Sequence, residues 1–417
     1  MATADKIIFV YADWNNSQPI LMGRLFVSAS RGKELFSFEY SKDWLRSDGS
    51  DFVFDPDLHL YEGRQYAPDK PLFGVFSDSC PDRWGRLLMK RKEAILAREE
   101  NRKPRALMES DYLLGVYDET RLGALRFSLA EGGSFLSVDQ ELCTPPWTTL
   151  RTLESASMAF ESDDGGQEEK WLRQLLAPGS SLGGARPKAS VQAPDGSLWI
   201  AKFPSKHDEW NSGAWEIAVH DLAIKCGLDA PEAKLETFSE TGSTFLIKRF
   251  DRDKNRRIHF SSAMALLGKT DGDTDGVSYL DIAAFIKSNG ASPKQDLKEL
   301  WKRIVFNMAV SNTDDHLRNH GFLLTKNGWT LSPVYDVNPN IYGNALSLNV
   351  STNDSSVSFE LAVETAQYYE IDADDAKKII ADIQKTVSEN WQTLAAGYGL
   401  SRNAINRLEP AFAMEYK

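Results

Sequence analysis

The C-terminal half of the chain has apolar residues at helical spacing, followed by a polar loop. Residues 297–308 place their apolar positions on one face over three turns, which predicts a helix. The loop 311–320 then concentrates aspartate, asparagine and histidine side chains. Two short strands follow, joined at Asn327-Gly328, a pair that is typical of tight hairpins. We therefore expect a helix that delivers a polar loop, and a hairpin that returns a further acid, Asp336.

Alternating and clustered apolar residues predict further elements along the rest of the chain. The first forty residues contain three short runs that are typical of strands. Pro81 and Asp82 suit the first turn of a helix, because proline has no N–H to leave unpaired and the acid complements the helix dipole. The predicted strands are 7–10, 23–26, 34–40, 188–193, 198–203 and 244–250, and the predicted helices are 82–99, 210–226, 279–288 and 376–394.

Composition indicates an ordinary globular protein. The 417 residues are 42% hydrophobic and 26% charged, enough for two or three units with sizeable cores. No apolar run approaches the length of a transmembrane helix, and the acidic start has no signal-peptide core. We therefore expect neither a transmembrane helix nor a signal peptide. The unclustered Cys80, Cys143 and Cys226 fit a reducing cytoplasm. The formal net charge of −12 argues against a broad, sequence-independent DNA-binding surface.

The polar loop contains the side chains that phosphoryl transfer needs. Asp314 and Asn319 have the Asp-x4-Asn spacing of kinase catalytic loops. In that reaction a carboxylate orients or deprotonates the attacking hydroxyl, and hard oxygen ligands hold Mg²⁺ against the transferring phosphate. Asp314 fits the first role, and Asn319 with Asp336 fits the second.

Two further roles for this loop stay open. It could be a capped, hydrogen-bonded helix C-terminus with no chemistry of its own. Alternatively, Asp315, His316 and His320 could ligate zinc. Against zinc, no cysteine or third histidine lies near them in the sequence, and a helix is not expected to continue through Asn319-His320-Gly321.

A second candidate segment begins near residue 178 and is rich in glycine. Gly179, Gly183 and Gly184 permit unusual backbone angles and the close approach of a ligand, so that backbone amides there could cradle phosphate. The segment lacks the Gly-Lys pair of the nucleotide-binding P-loop. A plain flexible loop would also account for these glycines.

Lys202 lies on a predicted strand whose neighbours on the same face are apolar. Leu198 and Ile200 share that face. A lone ammonium there is costly, so we expect it to meet an anion such as phosphate, together with a carboxylate. Glu216 on the predicted helix 210–226 is the candidate carboxylate, because kinases pair a strand lysine with a helix glutamate. Alternatively, the lysine lies over a sheet edge with its ammonium in solvent.

Six segments of the chain carry a family pattern in a fixed order. They are DSCPDRWGRLL (78–88), SLGGARPKA (181–189), IAKFPS (200–205), LIKRFDR (246–252), NTDDHLRNHGFLL (312–324) and LSPVYDVNP (331–339). Together they resemble the HipA family of serine/threonine kinases, the toxin half of a bacterial toxin–antitoxin pair. The resemblance implies an α+β fold, with a β-rich N-terminal subdomain followed by a two-lobed protein-kinase-like fold whose C-terminal lobe is mostly α-helical.

The resemblance also implies domain limits and residue roles. It implies a HipA-type subdomain over 1–150, a kinase N-lobe over 151–251 and a C-lobe over 252–417. Asp314 would be the catalytic base, Asn319 and Asp336 the Mg²⁺ ligands, and Lys202 the lysine at the ATP phosphates, oriented by Glu216. Further ATP-binding positions would be Gly183, Gly184, Ala185, Lys248, Phe250, Asp251, His316 and Arg318, with backbone contacts to adenine from Lys248 and Phe250.

From the family we expect an ATP- and Mg²⁺-dependent kinase acting on serine or threonine of a cytoplasmic protein of translation, with aminoacyl-tRNA synthetases as the leading class. We expect a small, basic, HipB-like helix-turn-helix antitoxin as partner, DNA contact only through that antitoxin, and no membrane. Arg186-Pro187 stands where the family usually has Gln-Glu, and Arg318-Asn319 where it commonly has Lys-Asn. Both departures keep the residues of the main chemistry. They bear on the details of the phosphate loop and on which substrate is preferred.

Two alternatives to a protein kinase stay open. Aminoglycoside phosphotransferases share Asp-x4-Asn with a later metal-binding aspartate, which allows a kinase of a small molecule. They lack the block at residues 78–88, which counts against that alternative. The second is a non-catalytic co-repressor that acts with a DNA-binding antitoxin. The intact set of Lys202, Asp314, Asn319 and Asp336 argues for catalysis.

Ser181 is the predicted site of a regulatory autophosphorylation, with Ser180 as the second choice. In the family, phosphorylation of a serine just ahead of the phosphate loop switches the kinase off. A phosphate adds about −1.5 to −2 charge at neutral pH. On Ser181 it would compete with ATP for the backbone amides of the loop, or pair with Arg186 or Lys188. The alternative is an ordinary loop serine that caps a turn.

Overall fold

A computed structural model describes residues 6–14, 18–30, 32–47, 52–67, 69–136, 144–162, 174–176, 184–254, 256–272 and 276–414. The chain divides into two compact units. The N-terminal unit comprises Met1–Lys206, Asp251–Ser261 and Gly268–Thr270, and the C-terminal unit comprises His207–Phe250, Ser262–Leu267 and Asp271–Lys417. The expected three domains stay a prediction.

Helices and strands are both frequent and are numbered in chain order. The strands are β1 (Lys6–Ala12), β2 (Ile20–Ser30), β3 (Lys33–Tyr40), β4 (Gln65–Tyr66), β5 (Leu125–Ser128), β6 (Lys188–Gln192), β7 (Leu198–Lys202), β8 (Ala233–Glu236), β9 (Thr244–Lys248), β10 (Arg252–Asp253), β11 (Arg256–Arg257), β12 (Phe260–Ser262), β13 (Gly321–Thr325) and β14 (Gly328–Leu331). The helices are α1 (Lys42–Leu45), α2 (Gly74–Ser77), α3 (Arg83–Glu99), α4 (Glu109–Gly115), α5 (Leu150–Ser162), α6 (Ser212–Lys225), α7 (Ala263–Leu266), α8 (Tyr279–Asn289), α9 (Pro293–Ala309), α10 (Phe359–Thr365), α11 (Ala373–Gly397) and α12 (Arg402–Phe412). This mixture confirms the expected α+β class.

The N-terminal unit contains an antiparallel sheet in the order β4-β3-β2-β1-β5. Ile8, Leu25 and Phe38 lie opposite one another on its three long strands, and all three are fully buried. Side chains directly across an antiparallel pair are close neighbours, so this row forms part of the core. The three strands predicted there are confirmed, and each extends beyond its apolar run because backbone pairing continues past it.

Helix α3 begins at Arg83, one residue after the predicted start, so that Pro81, expected in the first turn, lies just before the helix. Asp82 is its N-cap, and the Asp82 carboxylate accepts from the N–H of Arg83 at 2.7 Å. This satisfies one of the amides that a helix start leaves unpaired. Trp84 and Leu88, one turn apart, are buried, which fixes the face that α3 turns to the interior.

Helix α9 is at the core of the C-terminal unit. Its predicted apolar face, with Leu297, Trp301 and Ile304, is fully buried. Arg303 and Asn307 of the same helix are also buried, 2% and 3% exposed. They are buried because their polar atoms are hydrogen-bonded to the loop and hairpin that follow, as a buried polar group requires.

The last two helices close this unit around stacked rings. Trp391 of α11 stacks on Phe412 of α12 with ring centroids 4.4 Å apart, and Phe412 also stacks on Trp215 of α6 at 5.8 Å. Helix α11 confirms the long amphipathic helix predicted over 376–394. Within the part of the chain that the structure describes, no helix is both long and apolar enough to cross a membrane.

Candidate active site

Helix α9 ends in a tight turn that starts the polar loop. Ser311 has a φ of 52°, a left-handed backbone that reverses the chain. The N–H of Asn312 donates to the Asn307 carbonyl at 2.8 Å, and the Asn312 Nδ2 donates to the Asn307 Oδ1 at 3.0 Å. The Ser311 hydroxyl donates to the carbonyl of Ala411 at 2.8 Å. The loop therefore leaves the helix in a defined direction.

Asp315 is the buried centre of this loop. Its Oδ2 accepts from the Tyr279 hydroxyl at 2.7 Å, from Asn307 Nδ2 at 2.8 Å and from His320 Nε2 at 2.8 Å. An ionised carboxylate only accepts, so His320 Nε2 is the donor. The residue is 3% exposed. We call Asp315, Tyr279, Asn307 and His320 the polar hub.

The hub keeps the Asp315 carboxylate charged. Burial alone would raise the pKa of Asp315, but the nearby His320 and the hydrogen bonds from His320 and Tyr279 outweigh it and leave that pKa below its ordinary value. Burial, with Asp315 beside it, raises the pKa of Tyr279 far above the ordinary range. A carboxylate with this many donors is a rigid anchor for its neighbours.

Asp314, directly before the anchor, is exposed. The residue before it, Thr313, is held from two sides: its carbonyl accepts from the Ser347 hydroxyl at 2.8 Å, and its hydroxyl oxygen accepts from Asn340 Nδ2 at 2.8 Å. The exposed acid therefore lies between two fixed positions. A positioned carboxylate open to solvent is what a general base for an incoming hydroxyl requires.

Asn319 lies on a short 3-10 helix, Leu317–Asn319, and is 7% exposed. Its Nδ2 donates to the backbone carbonyl of Asp314 at 3.2 Å. Since the amide nitrogen is used for this bond, Oδ1 is the remaining acceptor of that side chain. An oxygen presented in this way fits a Mg²⁺ ligand.

Asp336 lies just beyond the β13–β14 hairpin, in a segment that other residues hold in place. Arg303 Nη2 donates to the Ser332 carbonyl at 2.7 Å, and the N–H of Val334 donates to the Asp229 carbonyl at 2.7 Å. Asp336 itself has a φ of 59°, and its Oδ1 accepts from Asn338 Nδ2 at 3.2 Å. An aspartate tolerates this left-handed backbone better than most residues.

The donor set fits Mg²⁺ better than zinc. Asn319 and Asp336 offer oxygens, and Mg²⁺ takes one or two carboxylates plus waters and phosphate oxygens. Nε2 of His320, a nitrogen that zinc would use, is bonded to Asp315. His316, the other histidine, is exposed. No cluster of three or more His, Cys, Asp or Glu side chains suited to a metal occurs in the described ranges.

Other predicted ATP-binding residues of the C-terminal unit have defined contacts. Arg318 donates to Asp271 at 2.7 Å, and its carbonyl accepts from the Tyr335 hydroxyl at 2.6 Å. The rings of Tyr335 and Phe250 lie 5.6 Å apart. The N–H of Lys248 donates to the Glu232 carbonyl at 2.8 Å, and Lys248 Nζ lies 3.5 Å from the Glu232 carboxylate.

Glu216, the predicted orienting carboxylate, is 5% exposed on α6. Ten of that helix's fourteen residues are buried. A helix that is apolar all round is a core element, so a carboxylate within it needs partners.

In the N-terminal unit, the described end of the glycine-rich loop is joined to α3. Gly184 donates its N–H to Asp82 Oδ2 at 2.6 Å and accepts from the N–H of Trp84 at 3.2 Å. Gly184 has a φ of 85°, a left-handed backbone that favours glycine. Ala185 is exposed. Gly183 and Ser181 lie outside the described residues.

The sequence analysis named Lys188 only as a possible partner of a phosphorylated Ser181 and did not pair it with Lys202. Strands β6 and β7 are antiparallel, with Lys188 directly opposite Lys202. Lys188 is 6% exposed and Lys202 is half-buried. The two side chains therefore extend from neighbouring positions on the same face of this sheet. The hairpin turn at Pro194-Asp195-Gly196 gives this register from the sequence alone.

Asp251 has a structural role within the N-terminal unit. It is 1% exposed, and its Oδ2 accepts from the Gly123 N–H at 2.8 Å and from Arg252 Nη1 at 2.6 Å. These bonds join residue 251 to a segment more than a hundred positions earlier. Its expected contact with ATP stays a prediction.

The chain is similar in sequence to a protein family and to two proteins named as putative kinases. A sequence model of the HipA-like C-terminal domain matches residues 180–391, more than half of the chain. A putative kinase of Haemophilus influenzae is 30% identical over 191 residues, 41% of this chain and 55% of that protein. The putative kinase Y4mE of Sinorhizobium fredii is 29% identical over 182 residues, 38% of this chain and 41% of that protein. The chain thus spans about half the length of the curated relatives it matches.

One solved structure is similar over almost the whole chain. It is a complex of the Shewanella oneidensis MR-1 toxin–antitoxin system, with HipA, HipB and operator DNA. The match has a TM-score of 0.68 at 15% identity and covers 97% of this chain and 95% of that chain. At this identity it shows the fold, and it confirms the kinase-like α+β fold expected from the six segments. The match over residues 180–391 establishes that the chain belongs to the family of the HipA-like C-terminal domain.

Proposed function

We propose that the protein is an ATP- and Mg²⁺-dependent serine/threonine protein kinase and the toxin of a toxin–antitoxin pair. The observation that carries this proposal is the polar loop, where an exposed Asp314 directly precedes a buried, charged Asp315. The contacts of Thr313 and Asp315 hold the backbone on both sides of Asp314, so its carboxylate is positioned as well as exposed. The relatives that bear the name of putative kinases support the same activity.

Asp314 would take the proton of the acceptor hydroxyl. The acceptor oxygen bonds to the γ-phosphorus, the bond from that phosphorus to the bridging oxygen breaks, and ADP leaves. Asn319 and Asp336 would hold Mg²⁺, which when bound neutralises charge on the phosphates. In the N-terminal unit, Lys202 would contact phosphate, the role that the family pattern implies for this lysine.

The decisive test changes Asp314 to asparagine, which keeps the shape and removes the proton acceptor. Transfer of the γ-phosphate should fall by about 10²–10⁴-fold, the usual contribution of a general base. ATP affinity, measured by calorimetry, should remain. Asp374→Asn, at an exposed aspartate of α11, is the matched control and should be fully active. Full activity of Asp314→Asn would refute the assignment.

Metal and phosphate roles are tested by titration with Mg-ATP. Asp336→Ala should weaken Mg²⁺-dependent nucleotide binding, because it removes a carboxylate from a cation with few protein ligands. Lys202→Ala should lower ATP affinity or turnover, and Glu216→Ala should do so more mildly. Unchanged affinity and activity in Asp336→Ala contradict its proposed role.

The choice of acceptor separates the alternatives. Phosphate on protein serine or threonine supports the proposal, phosphate on an aminoglycoside supports a small-molecule kinase, and no consumption of ATP supports a non-catalytic co-repressor. A protein of translation, such as an aminoacyl-tRNA synthetase, is the acceptor class proposed from the family. Phosphorylation of Ser181 should appear by mass spectrometry after incubation with Mg-ATP and be missing in Asp314→Asn.

A small, basic helix-turn-helix antitoxin of the HipB type is the proposed partner. The Shewanella structure, which contains HipA together with HipB and operator DNA, supports this by its similar fold. A net charge of −12 favours a basic partner by electrostatic steering. Co-purification from the native operon is the test, and the absence of any such protein from the complex and from the neighbouring genes contradicts it.

A further inference from the structure

Tyr342 is an exposed tyrosine in the segment that follows Asp336. Its ring is 62% exposed, and its hydroxyl donates to the Glu209 carboxylate at 2.7 Å. The ring stacks on that of Trp210, with centroids 6.2 Å apart and an interplanar angle of 26°. Leaving a large ring this exposed gains little for folding, since burial is what stabilises an aromatic side chain.

Arg407 of α12 completes the cluster. Its Nη2 donates to Glu209 Oε2 at 2.6 Å and its Nη1 to the Glu209 carbonyl at 3.1 Å. Its guanidinium lies 5.3 Å from the centroid of the Trp210 ring. Trp, Tyr and Arg are the residue types most enriched at the energetic centres of protein interfaces. We call Glu209, Trp210, Tyr342 and Arg407 the aromatic platform.

The platform is joined to the polar loop by a short chain of contacts. The N–H of Tyr342 donates to Asn340 Oδ1 at 2.9 Å, and Asn340 Nδ2 donates to the Thr313 hydroxyl at 2.8 Å. Gly343 approaches Thr313 so closely that a Cβ on it would lie 2.0 Å from the Thr313 Oγ1. Thr313 directly precedes Asp314. The platform therefore has a fixed position relative to the candidate base.

We propose that the aromatic platform docks the acceptor segment of a protein substrate. The inference rests on the proposed kinase activity and deepens it. The platform is an exposed surface joined through Asn340 and Gly343 to Thr313, the residue directly before Asp314. Flat, exposed rings bind an extended polypeptide through its side-chain stems and backbone. Because the proposed acceptor is a serine or threonine of a protein, and a net charge of −12 favours a basic partner, the occupant is a basic segment of a protein substrate.

The platform contributes little to the fold, so its removal should be tolerated. The side chains of Arg407 and Glu209 are 47% and 54% exposed, and ion pairs this exposed contribute about 0–1 kcal/mol. Truncation of Tyr342 should then leave stability nearly unchanged. Its effect on the acceptor can therefore be measured on a folded protein.

The test compares Tyr342→Ala with wild type, using myelin basic protein as a basic general acceptor for this acidic protein. The KM for the acceptor should rise by about thirtyfold, the lower end of the range for a hot-spot truncation. The KM for ATP and the rate of ATP hydrolysis without acceptor should not change. Tyr342→Phe keeps the ring and should stay near wild type. Tyr368→Ala, at a 49% exposed tyrosine of the same unit, is the matched control.

Each outcome has one meaning. An acceptor KM within twofold of wild type for Tyr342→Ala overturns the docking role, as does an equal rise in Tyr368→Ala. If the wild type hydrolyses ATP but transfers no phosphate to the acceptor protein, the docking role is also overturned. The proposed use of ATP is then still supported. If wild type neither hydrolyses ATP nor transfers phosphate, the proposed kinase activity fails and the docking role fails with it.

Discussion

Two buried histidines show how differently the two units treat the same residue type. His259 in the N-terminal unit and His320 in the C-terminal unit are each 2% exposed. His259 stacks on Trp14 with centroids 4.8 Å apart and lies 5.7 Å from the Phe54 ring. His320 instead donates to the charged Asp315 at 2.8 Å.

The difference shows that burial alone does not decide what a polar residue does. Among aromatic rings, burial lowers the pKa of His259 to about 3, so its ring is neutral at physiological pH and packs as a flat, nearly apolar group. In the hub, the histidine is part of a network that keeps a carboxylate ionised. The first arrangement holds a core together, and the second holds a loop for chemistry.

The largest effect is expected from Asp315→Ala, which removes the acceptor of the hub. Three buried donors would lose their partner, and the free energy of unfolding should fall by about 3–5 kcal/mol. Urea denaturation monitors the loss. Asp314→Ala, at the exposed neighbour, is the control and should change stability by about 0.5 kcal/mol or less. Similar losses in both variants contradict the division of roles between the two acids.

A slightly smaller effect is expected from pH, through His259. Its pKa is about 3 in the folded state and about 6.5 when unfolded, so below pH 6.5 the unfolded chain binds the extra proton. Stability should therefore fall as pH falls, by about 3 kcal/mol between pH 7 and pH 4 at 1.36 kcal/mol per unit. His259→Phe should remove this contribution to the dependence of the free energy of unfolding on pH.

The control for the pH experiment is His207→Phe. His207 is exposed, so its replacement should leave the dependence of urea midpoint on pH unchanged. An unaltered slope in His259→Phe would mean that other groups cause the acid sensitivity.

The smallest of the three effects is expected from Tyr279→Phe. It removes one donor to the charged Asp315 and keeps the ring, and should cost about 2 kcal/mol. The depressed pKa of Asp315 stabilises the fold above its ordinary pKa, and this is lost as pH falls through the folded value. Without the Tyr279 hydroxyl that pKa rises, so the acid-induced loss should begin at higher pH.

Tyr369→Phe is the matched control for Tyr279→Phe. Tyr369 is 1% exposed, and its hydroxyl has no hydrogen-bond partner among the residues that the structure describes. Removing that hydroxyl should be nearly neutral or stabilising. Equal destabilisation by both substitutions means that the bond to Asp315 contributes nothing specific.

Local signals in the sequence were enough for the elements that carry the candidate site. Pro81 and Asp82 marked the start of α3, and Asn327-Gly328 marked the turn of the β13–β14 hairpin. These signals act within a few residues, because a cap or a turn depends on its own neighbours. Asp314, Asn319 and Asp336 were proposed from their spacing and residue type.

The polar hub could not be found in that way. Asp315 was considered as a zinc ligand, but two of its three partners come from Tyr279, 36 residues earlier, and Asn307, 8 residues earlier. No pattern of spacing predicts which distant hydroxyl reaches a carboxylate. Lys188 is a different case, since the turn between β6 and β7 fixes its register with Lys202. The pairing was within reach of the sequence.

Asp82 has a consequence for motion as well as for structure. Its two carboxylate oxygens accept from the amides of Arg83 and Gly184, and the second bond spans 102 positions of the chain. One side-chain rotation would free both amides at once, so they belong to a single opening event. In hydrogen-exchange experiments their amide hydrogens should exchange together, and Asp82→Ala should speed both, so that the start of α3 and the end of the glycine-rich loop open as one unit.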